Sequence, residues 1–340
     1  MKKRRLWKIL LTAALSLFCA VVLVVLGAIA YFRLSVLDYY QASEKAFEIP
    51  GLADDFVPQG LHYDEARGHF LATGYSSAGE ASPIYMVSKE SGELLKEVRM
   101  QNEDGSDFVG HASGLAVFGD WLYVAGGSDR CLYVFSYVSL LEAENGEHLR
   151  CVGKFFTQVS ETDYVNVSFV SVEGDRLILG EFYDEPKYPT LETHKMTTSA
   201  GEYQQAVALE YRLSADATVG ILPTPERAYS MTDCVQGICL SDGKMYLSTS
   251  YGASFSVLYE YEEATMTQEG TITLLGRELP LYAVDSASMT ASYSMIPMSE
   301  EIAMVDGRLY MMGESASNKY LFGKLIGGKW CYATDLEKMK

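Results

Sequence analysis

The chain has 340 residues, with 45 Asp and Glu against 27 Lys and Arg and a formal net charge of −18. Residues 1–33 hold Lys2, Lys3, Arg4, Arg5, Lys8 and Arg33 and no carboxylate, so residues 34–340 are left with 21 basic and 45 acidic side chains, a net of −24. A domain this acidic repels phosphate backbones, whose capture depends on Lys and Arg displacing counterions. That excludes nucleic acid as a partner and leaves cations, neutral glycans and basic peptides.

Residues 1–8 form a basic tail, and residues 9–32 are 24 consecutive uncharged positions rich in Leu, Val and Ala. At ~1.5 Å per residue this run exceeds a ~30 Å hydrocarbon layer, so it is expected to cross a bilayer as one helix. The basic residues before it place the N-terminus in the cytoplasm and the remainder outside. Ala28-Ile29-Ala30 also fits a cleavage site of the small-x-small kind. An uncleaved anchor is preferred because the run is longer than the ~7–15 residues of a signal core. Both readings export the domain.

Residues 33–53 read as a spacer, and residues 54–340 as one repetitive domain. Five copies of a hairpin pattern recur. The first is Gln59-Gly60-Leu61 before Phe70-Leu71-Ala72-Thr73-Gly74-Tyr75, and the second is Ser113-Gly114-Leu115 followed by Trp121-Leu122-Tyr123-Val124-Ala125. The third has Phe169-Val170-Ser171-Val172, a Gly174-Asp175 turn and Arg176-Leu177-Ile178-Leu179. The fourth has Gln236-Gly237-Ile238, an Asp242-Gly243 turn and Met245-Tyr246-Leu247. The fifth has Ile302-Ala303-Met304-Val305, an Asp306-Gly307 turn and Arg308-Leu309-Tyr310. Short apolar runs joined at Asp-Gly or Gly-Asp are hairpin signals, because tight turns need positive φ. Third strands are expected at 84–87, 132–135, 207–211, 257–261 and 320–322, with outer strands at 93–98, 151–156, 271–275 and 330–334. Three or four antiparallel strands per repeat is the composition of a β-propeller blade. The expected fold is all-β, a propeller of five blades behind one N-terminal transmembrane helix. The long interval between the third and fourth copies leaves room for a sixth. A strand from 40–47 or 330–334 could close the ring.

The blade rhythm, with the phrases Val57-Pro58-Gln59-Gly60-Leu61 and Val235-Gln236-Gly237-Ile238, resembles the superfamily of bacterial extracytoplasmic propellers that includes lactonase-like and sugar-dehydrogenase-like members. In such propellers the first strand of each blade lines a central channel. Superimposing the copies gathers Gln59, His111, Asn166, Gln236 and Glu300 at one mouth as candidate ligand-binding residues. Acidic residues precede or enter these strands: Asp54, Asp55, Asp107, Asp163, Asp233, Glu300 and Glu301. A ring of carboxylates would need a cation such as Ca²⁺ or a basic ligand, and crowding would raise some of their pKa values. Asp107, Asp163 and Asp233 are the candidate metal ligands, and Asp55, Asp107, Asp233 and Glu301 the candidate catalytic acids. Asp and Asn before a strand are also ordinary turn residues, and the recurring Gly fits close backbone packing at the axis.

Outside the apolar run lie Cys131, Cys151, Cys234, Cys239 and Cys331, too few and too scattered for a disulfide framework or a paired metal motif. No HExxH, GxSxG or phosphate-binding glycine loop is present. Residues 182–205 are too polar for a core and read as a long loop in the third blade. Tyr75, Tyr183 and Tyr251, on second strands, could stack on sugar rings or pack between blades. Two functions fit. One is a membrane-tethered binding or scaffold module for a cell-wall glycan or surface protein. The other is a carbohydrate-active hydrolase or lactonase with a carboxylate or cation site at the mouth.

Overall fold

The computed structural model describes residues 2–320 and 322–339, with side chains from Arg4 onward. Helix α1 (Lys2–Leu34) contains the apolar run, and its segment Arg4–Leu34 is long and apolar enough to cross a membrane, with none of its most apolar stretch buried against the rest of the chain. A two-residue link leads to α2 (Leu37–Ala42) and strand β1 (Ser43–Glu48).

Five four-stranded antiparallel sheets follow. Blade 1 is β2 (Phe56–Asp64), β3 (His69–Ser76), β4 (Pro83–Ser88) and β5 (Leu94–Gln101). Blade 2 is β6 (Leu115–Phe118), β7 (Trp121–Ala125), β8 (Cys131–Ser136) and, after helix α3 (Tyr137–Glu142), β9 (His148–Phe156). A small hairpin of β10 (Gln158–Ser160) and β11 (Asp163–Tyr164) leads into blade 3, which begins with β12 (Phe169–Glu173) and β13 (Arg176–Gly180). The loop after β13 carries a second small hairpin, β14 (Met196–Thr197) and β15 (Tyr203–Gln204). Strands β16 (Ala206–Leu213) and β17 (Ile221–Met231) then complete the blade. Blade 4 is β18 (Val235–Ser241), β19 (Lys244–Thr249), β20 (Ser256–Glu262) and, after an inserted hairpin of β21 (Thr267–Leu274) and β22 (Arg277–Ala283), β23 (Met289–Met295). Blade 5 is β24 (Ser299–Val305), β25 (Arg308–Gly313) and, after α4 (Gly323–Ile326), β26 (Trp330–Thr334). Its outer strand is β1, paired from Ser43↔Thr334 to Glu48↔Trp330.

The ring therefore closes by joining the two ends of the domain in one sheet. The inner strands β2, β6, β12, β18 and β24 each pack against the next, and β24 packs back on β2. Among the described residues the buried apolar side chains fall into five clusters, one per blade interface. Blades 1 and 2 meet around Leu71, Ile84 and Phe135, blades 2 and 3 around Tyr123 and Leu177, and blades 3 and 4 around Phe169 and Tyr229. Blades 4 and 5 enclose Val36 and Tyr39 from the linker and α2, and blades 5 and 1 enclose Phe47 from β1. Each sheet buries both faces, which explains near-continuous apolar strands such as Leu122-Tyr123-Val124-Ala125.

Five blades are what the repeat count indicates, and the room for a sixth is filled otherwise. Residues 182–205 form the long loop between β13 and β16. β17, an unexpected strand, is blade 3's outer edge. Three strand assignments are corrected. Segment 271–275 belongs to the inserted hairpin, whose β22 pairs in parallel with β17 (Ala228↔Leu281), and blade 4's outer strand is β23. Segment 330–334 is blade 5's third strand, not its fourth. No strand forms at 320–322: Tyr320 and Phe322 lie in turns, and Leu321 is outside the described residues. The hairpin turns behave as their sequences demand, with φ of 52° and 76° at Asp242-Gly243 and 50° and 72° at Asp306-Gly307. All six cysteines are free.

Candidate active or binding site at the channel mouth

Three inner strands carry a register shift where the polar residue enters: between Pro58 and Gly60, between Val235 and Gly237, and between Ser299 and Ile302. A bulge adds a residue to one strand and re-aims its side chain. The residues so displaced are Gln59, Gln236 and the pair Glu300-Glu301, and this is how one polar side chain per strand turns toward the axis in strands that are otherwise apolar.

The glycine after each bulge is there because the strands nearly touch. A Cβ on Gly60 would stand 2.9 Å from the Gly114 backbone, and one on Gly237 would stand 2.6 Å from Glu301 Cα and Oε1. Blade 5 has Glu301 at the equivalent place, and its side chain takes the room the glycines leave. Glu301 Oε1 accepts the Ile238 N–H at 2.8 Å and its own neighbour's, Ile302, at 3.4 Å. Burial holds the carboxyl pKa well above the ordinary value, and the Ile238, Ile302 and Val170 amides only partly offset this. Glu301 thus plugs the axis. Below it, the second halves of the inner strands line a cavity of about 300 Å³ that includes His62, Glu173 and Glu301.

Above the plug lies the mouth. Glu300 is 1% exposed, and burial together with the neighbouring charges of Glu314 and Glu301 raises its pKa well above the usual range. Glu314, at the end of β25, is half-buried. Burial pushes its pKa up to about 7, against the pull of Lys319 and of hydrogen bonds from Tyr320 and Gln59. The Gln59 amide donates to Glu314 Oε2 at 3.3 Å. Lys319 Nζ donates to the Tyr75 hydroxyl at 2.6 Å and lies 5.2 Å from that ring's centre. His111 stacks on the other side of Tyr75, with centroids 4.6 Å apart and planes at 27°. Crowding by protein and the ammonium groups of Lys319 and Lys187 lower the His111 pKa, so the ring is neutral at physiological pH while one face meets solvent.

The long loop of blade 3 borders this mouth. It is fastened from beneath by Glu181, fully buried, which accepts from His194 Nδ1 at 2.8 Å and from the Val207 N–H at 3.3 Å. Phe182 stands edge-on to Tyr188 at 5.2 Å and tilted to Tyr251 at 6.3 Å.

The structure brings together only part of the expected set. Gln59, His111 and Glu300 converge around Glu314. Gln236 occupies its bulge on β18, and Asn166 adjoins through its backbone N–H, which lies 3.4 Å from Glu181 Oε1. The expected carboxylate ring is corrected. Both oxygens of Asp163 accept backbone amides, those of Leu275 and Gly276, at 2.6 Å each, so Asp163 clamps the inserted hairpin's turn. Asp55, at φ 63°, accepts from Asn318 Nδ2 at 3.0 Å. Asp107 is exposed in the β5–β6 connection, where its backbone bridges Gln101. Asp233 accepts from Gln205 at 3.0 Å, its pKa raised by burial and by Asp184. Among the described residues no three His, Cys, Asp or Glu side chains gather closely enough to hold a metal ion. Asp107, Asp163 and Asp233 therefore form no common cation site. They are turn residues whose oxygens serve nearby backbone and side-chain donors or solvent. Nor do Asp55, Asp107, Asp233 and Glu301 assemble as catalytic acids, since Glu301 is sealed among the inner strands.

Glu314, Lys319 and Tyr320 escaped the sequence reading. The signal was the end of the second strand, where Tyr75, Glu181, Tyr251 and Glu314 follow Gly74, Gly180, Ser250 and Gly313. A Cβ on Gly74, Gly180 or Gly313 would come within 2.0, 2.6 and 2.7 Å of Val57 O, Phe169 and Met298 O, so each small residue marks where the chain closes on the inner strand and enters the mouth.

No family model matches the chain, and no curated protein matches it. Solved structures align with most of it at low identity. Myxococcus xanthus glutaminyl cyclase is 14% identical over 86% of this chain and 94% of that one, with a TM-score of 0.44. The GH43_1 enzyme from Xanthomonas citri, complexed with xylose, is 10% identical over 88% and 91%, with a TM-score of 0.43. The tail fibre of Staphylococcus aureus phage P68 is 15% identical over 86% of this chain and 51% of that one, with a TM-score of 0.45.

Proposed function

We propose that the protein is a membrane-tethered propeller that binds a neutral, hydroxyl-rich ligand, of the cell-wall glycan kind, at the channel mouth, with α1 as an uncleaved anchor and the domain outside the cytoplasm. The observation that carries this reading is the Glu300–Glu314 pair. Two buried carboxyl groups that cannot both ionise at neutral pH keep a proton, and together they offer a donor and acceptors in a recess edged by Tyr75, Tyr188 and Tyr251. Such a pair suits a ligand with hydroxyl groups, while the aromatic edges suit sugar faces.

The same pair supports a second reading, a glycan hydrolase, because a carboxyl that titrates near neutrality is suited to general acid work. In that reading Glu314 and Glu300 take the roles expected of Asp55, Asp107, Asp233 and Glu301. The test is calorimetric titration of the full chain in nanodiscs with soluble peptidoglycan saccharides, with product analysis of the same samples. Saturable binding that Glu314→Gln and Tyr75→Ala each weaken at least tenfold supports the binding reading, and released reducing ends lost in Glu314→Gln support the hydrolase. Binding unchanged in both variants would place the site elsewhere.

A further inference from the structure

The attachment of α1 says which way the mouth points. The rings of Tyr31 and Phe32, at the end of the apolar run, pack on Phe255 at 5.6 and 5.8 Å, and Phe32 packs on Phe322 at 5.6 Å. Phe255 lies in the loop from β19 to β20 and Phe322 in the loop from β25 to β26. Loops joining second to third strands lie on the face of the disc where the inner strands begin, which is the face that bears the mouth. Residues 4–28 are exposed throughout, so the helix runs outward from that rim rather than along the disc. The mount is stiff: α1 and α2 are separated by two residues, Val36 and Tyr39 are 3% and 0% exposed between blades 4 and 5, and Arg33 lies 4.9 Å over the Tyr40 ring.

We infer that the propeller sits with its mouth against the headgroup layer of the bilayer that α1 spans, so that this face is a lipid-docking surface and the mouth draws its ligand from membrane-borne headgroups. The inference rests on the anchor reading of α1. Tyr31 and Phe32 end the apolar run, where aromatic side chains settle at the interface, and their contacts hold Phe255 and Phe322 at the same level. The loops of this face carry the side chains that a headgroup layer accepts. Leu325, Tyr251 and Tyr188 are 55%, 45% and 42% exposed, and Lys187, Lys319 and Lys324 stand among them. Asp184 and Glu185 share the blade 3 loop, yet the opposite face contrasts plainly: its hairpin turns present Glu90, Asp175, Asp242 and Asp306, which anionic headgroups repel.

The test places a fluorophore at Tyr251→Cys or Glu90→Cys in the full chain, reconstituted in nanodiscs that contain a lipid with a nitroxide on its headgroup. The chain without an added cysteine, labelled in parallel, subtracts Cys19 and Cys234. Quenching at position 251 several-fold stronger than at position 90 is expected, with the unlabelled chain's melting temperature retained in both. Equal quenching, or stronger quenching at position 90, would overturn the orientation. No glycan is present in this experiment, so a failure of the saccharide-binding reading leaves its outcome unaffected. As an independent check on the unmodified surface, Leu325→Glu with Lys324→Glu is expected to lower the quenching at position 251; quenching unchanged by both charges would count against docking.

Discussion

Replacing Glu314 by Gln tests the electrostatics of the mouth through the stability of the fold. In the folded chain the Glu314 pKa stands at about 7 against an ordinary 4.5. Below about pH 4.5 the side chain is protonated in both folded and unfolded states and costs nothing. As pH rises the unfolded chain loses its proton first, so folded stability falls through the interval from 4.5 to about 7 and then levels off. A shift of this size corresponds to about 3 kcal/mol at ~1.4 kcal/mol per unit, a ceiling because Glu314 keeps some solvent contact and titrates jointly with Glu300. Gln cannot ionise, keeps the shape and removes the charge that also burdens Glu300. The assay is urea unfolding of the full chain in detergent, followed by tryptophan fluorescence at pH 5, 6, 7 and 8. The variant is expected to gain on the parent by up to about 3 kcal/mol between pH 5 and 8, most of it before pH 7. His62, His69 and His111, with lowered pKa values, give a slope of opposite sign, but both proteins share it and it cancels in the difference. Parallel curves for the two proteins would refute the raised pKa.

Asp163→Ala removes two short charge-assisted hydrogen bonds to the β21–β22 turn, and urea unfolding is expected to show a loss of about 2–3 kcal/mol with saccharide affinity unchanged. Gly237→Ala forces a Cβ against the Glu301 backbone and carboxylate, so a loss of at least about 2 kcal/mol is expected, seen as a lower urea midpoint. A chain beginning at residue 49 lacks the outer strand of blade 5 and exposes Phe70 and Tyr310, which pack together at the joint with Phe47; it is expected to yield no cooperative unfolding transition, whereas a chain beginning at residue 34 retains one. Arg176→Ala strands Glu210, 1% exposed and held by that guanidinium at 2.8 Å, and its expected cost of about 3 kcal/mol is readable in the same unfolding assay.

The blades were legible because their signals are local. Hairpin turns such as Asp242-Gly243 need positive φ, and both faces of each strand are buried, so five apolar hairpins stand out along the chain. Strands whose partners are distant were harder to read. β1 reads as spacer until it is seen beside β26, and β17, with Pro223 and Pro225 near its start, lacks an unbroken apolar run. The mouth was half legible for a similar reason. Gln59 and Glu300 sit on bulges marked by the glycine pattern, whereas Asp163 resembles them in sequence and is instead a clamp for a turn more than a hundred residues away. Aligning copies on acidic residues selected turn chemistry, because Asp is favoured before any strand. Aligning them on the small residue ending each second strand would have selected Glu314.

The most direct test of the central claim is infrared titration of the full chain with ¹³C-labelled glutamate, following the protonated carboxyl band from pH 4 to 9 in the parent and in Glu314→Gln. A band that persists to about pH 7, is diminished in the variant and shifts when peptidoglycan saccharides bind is the expected result. A chain whose glutamate carboxyl groups are all ionised by pH 6, with or without saccharide, would contradict a proton-holding pair at the mouth.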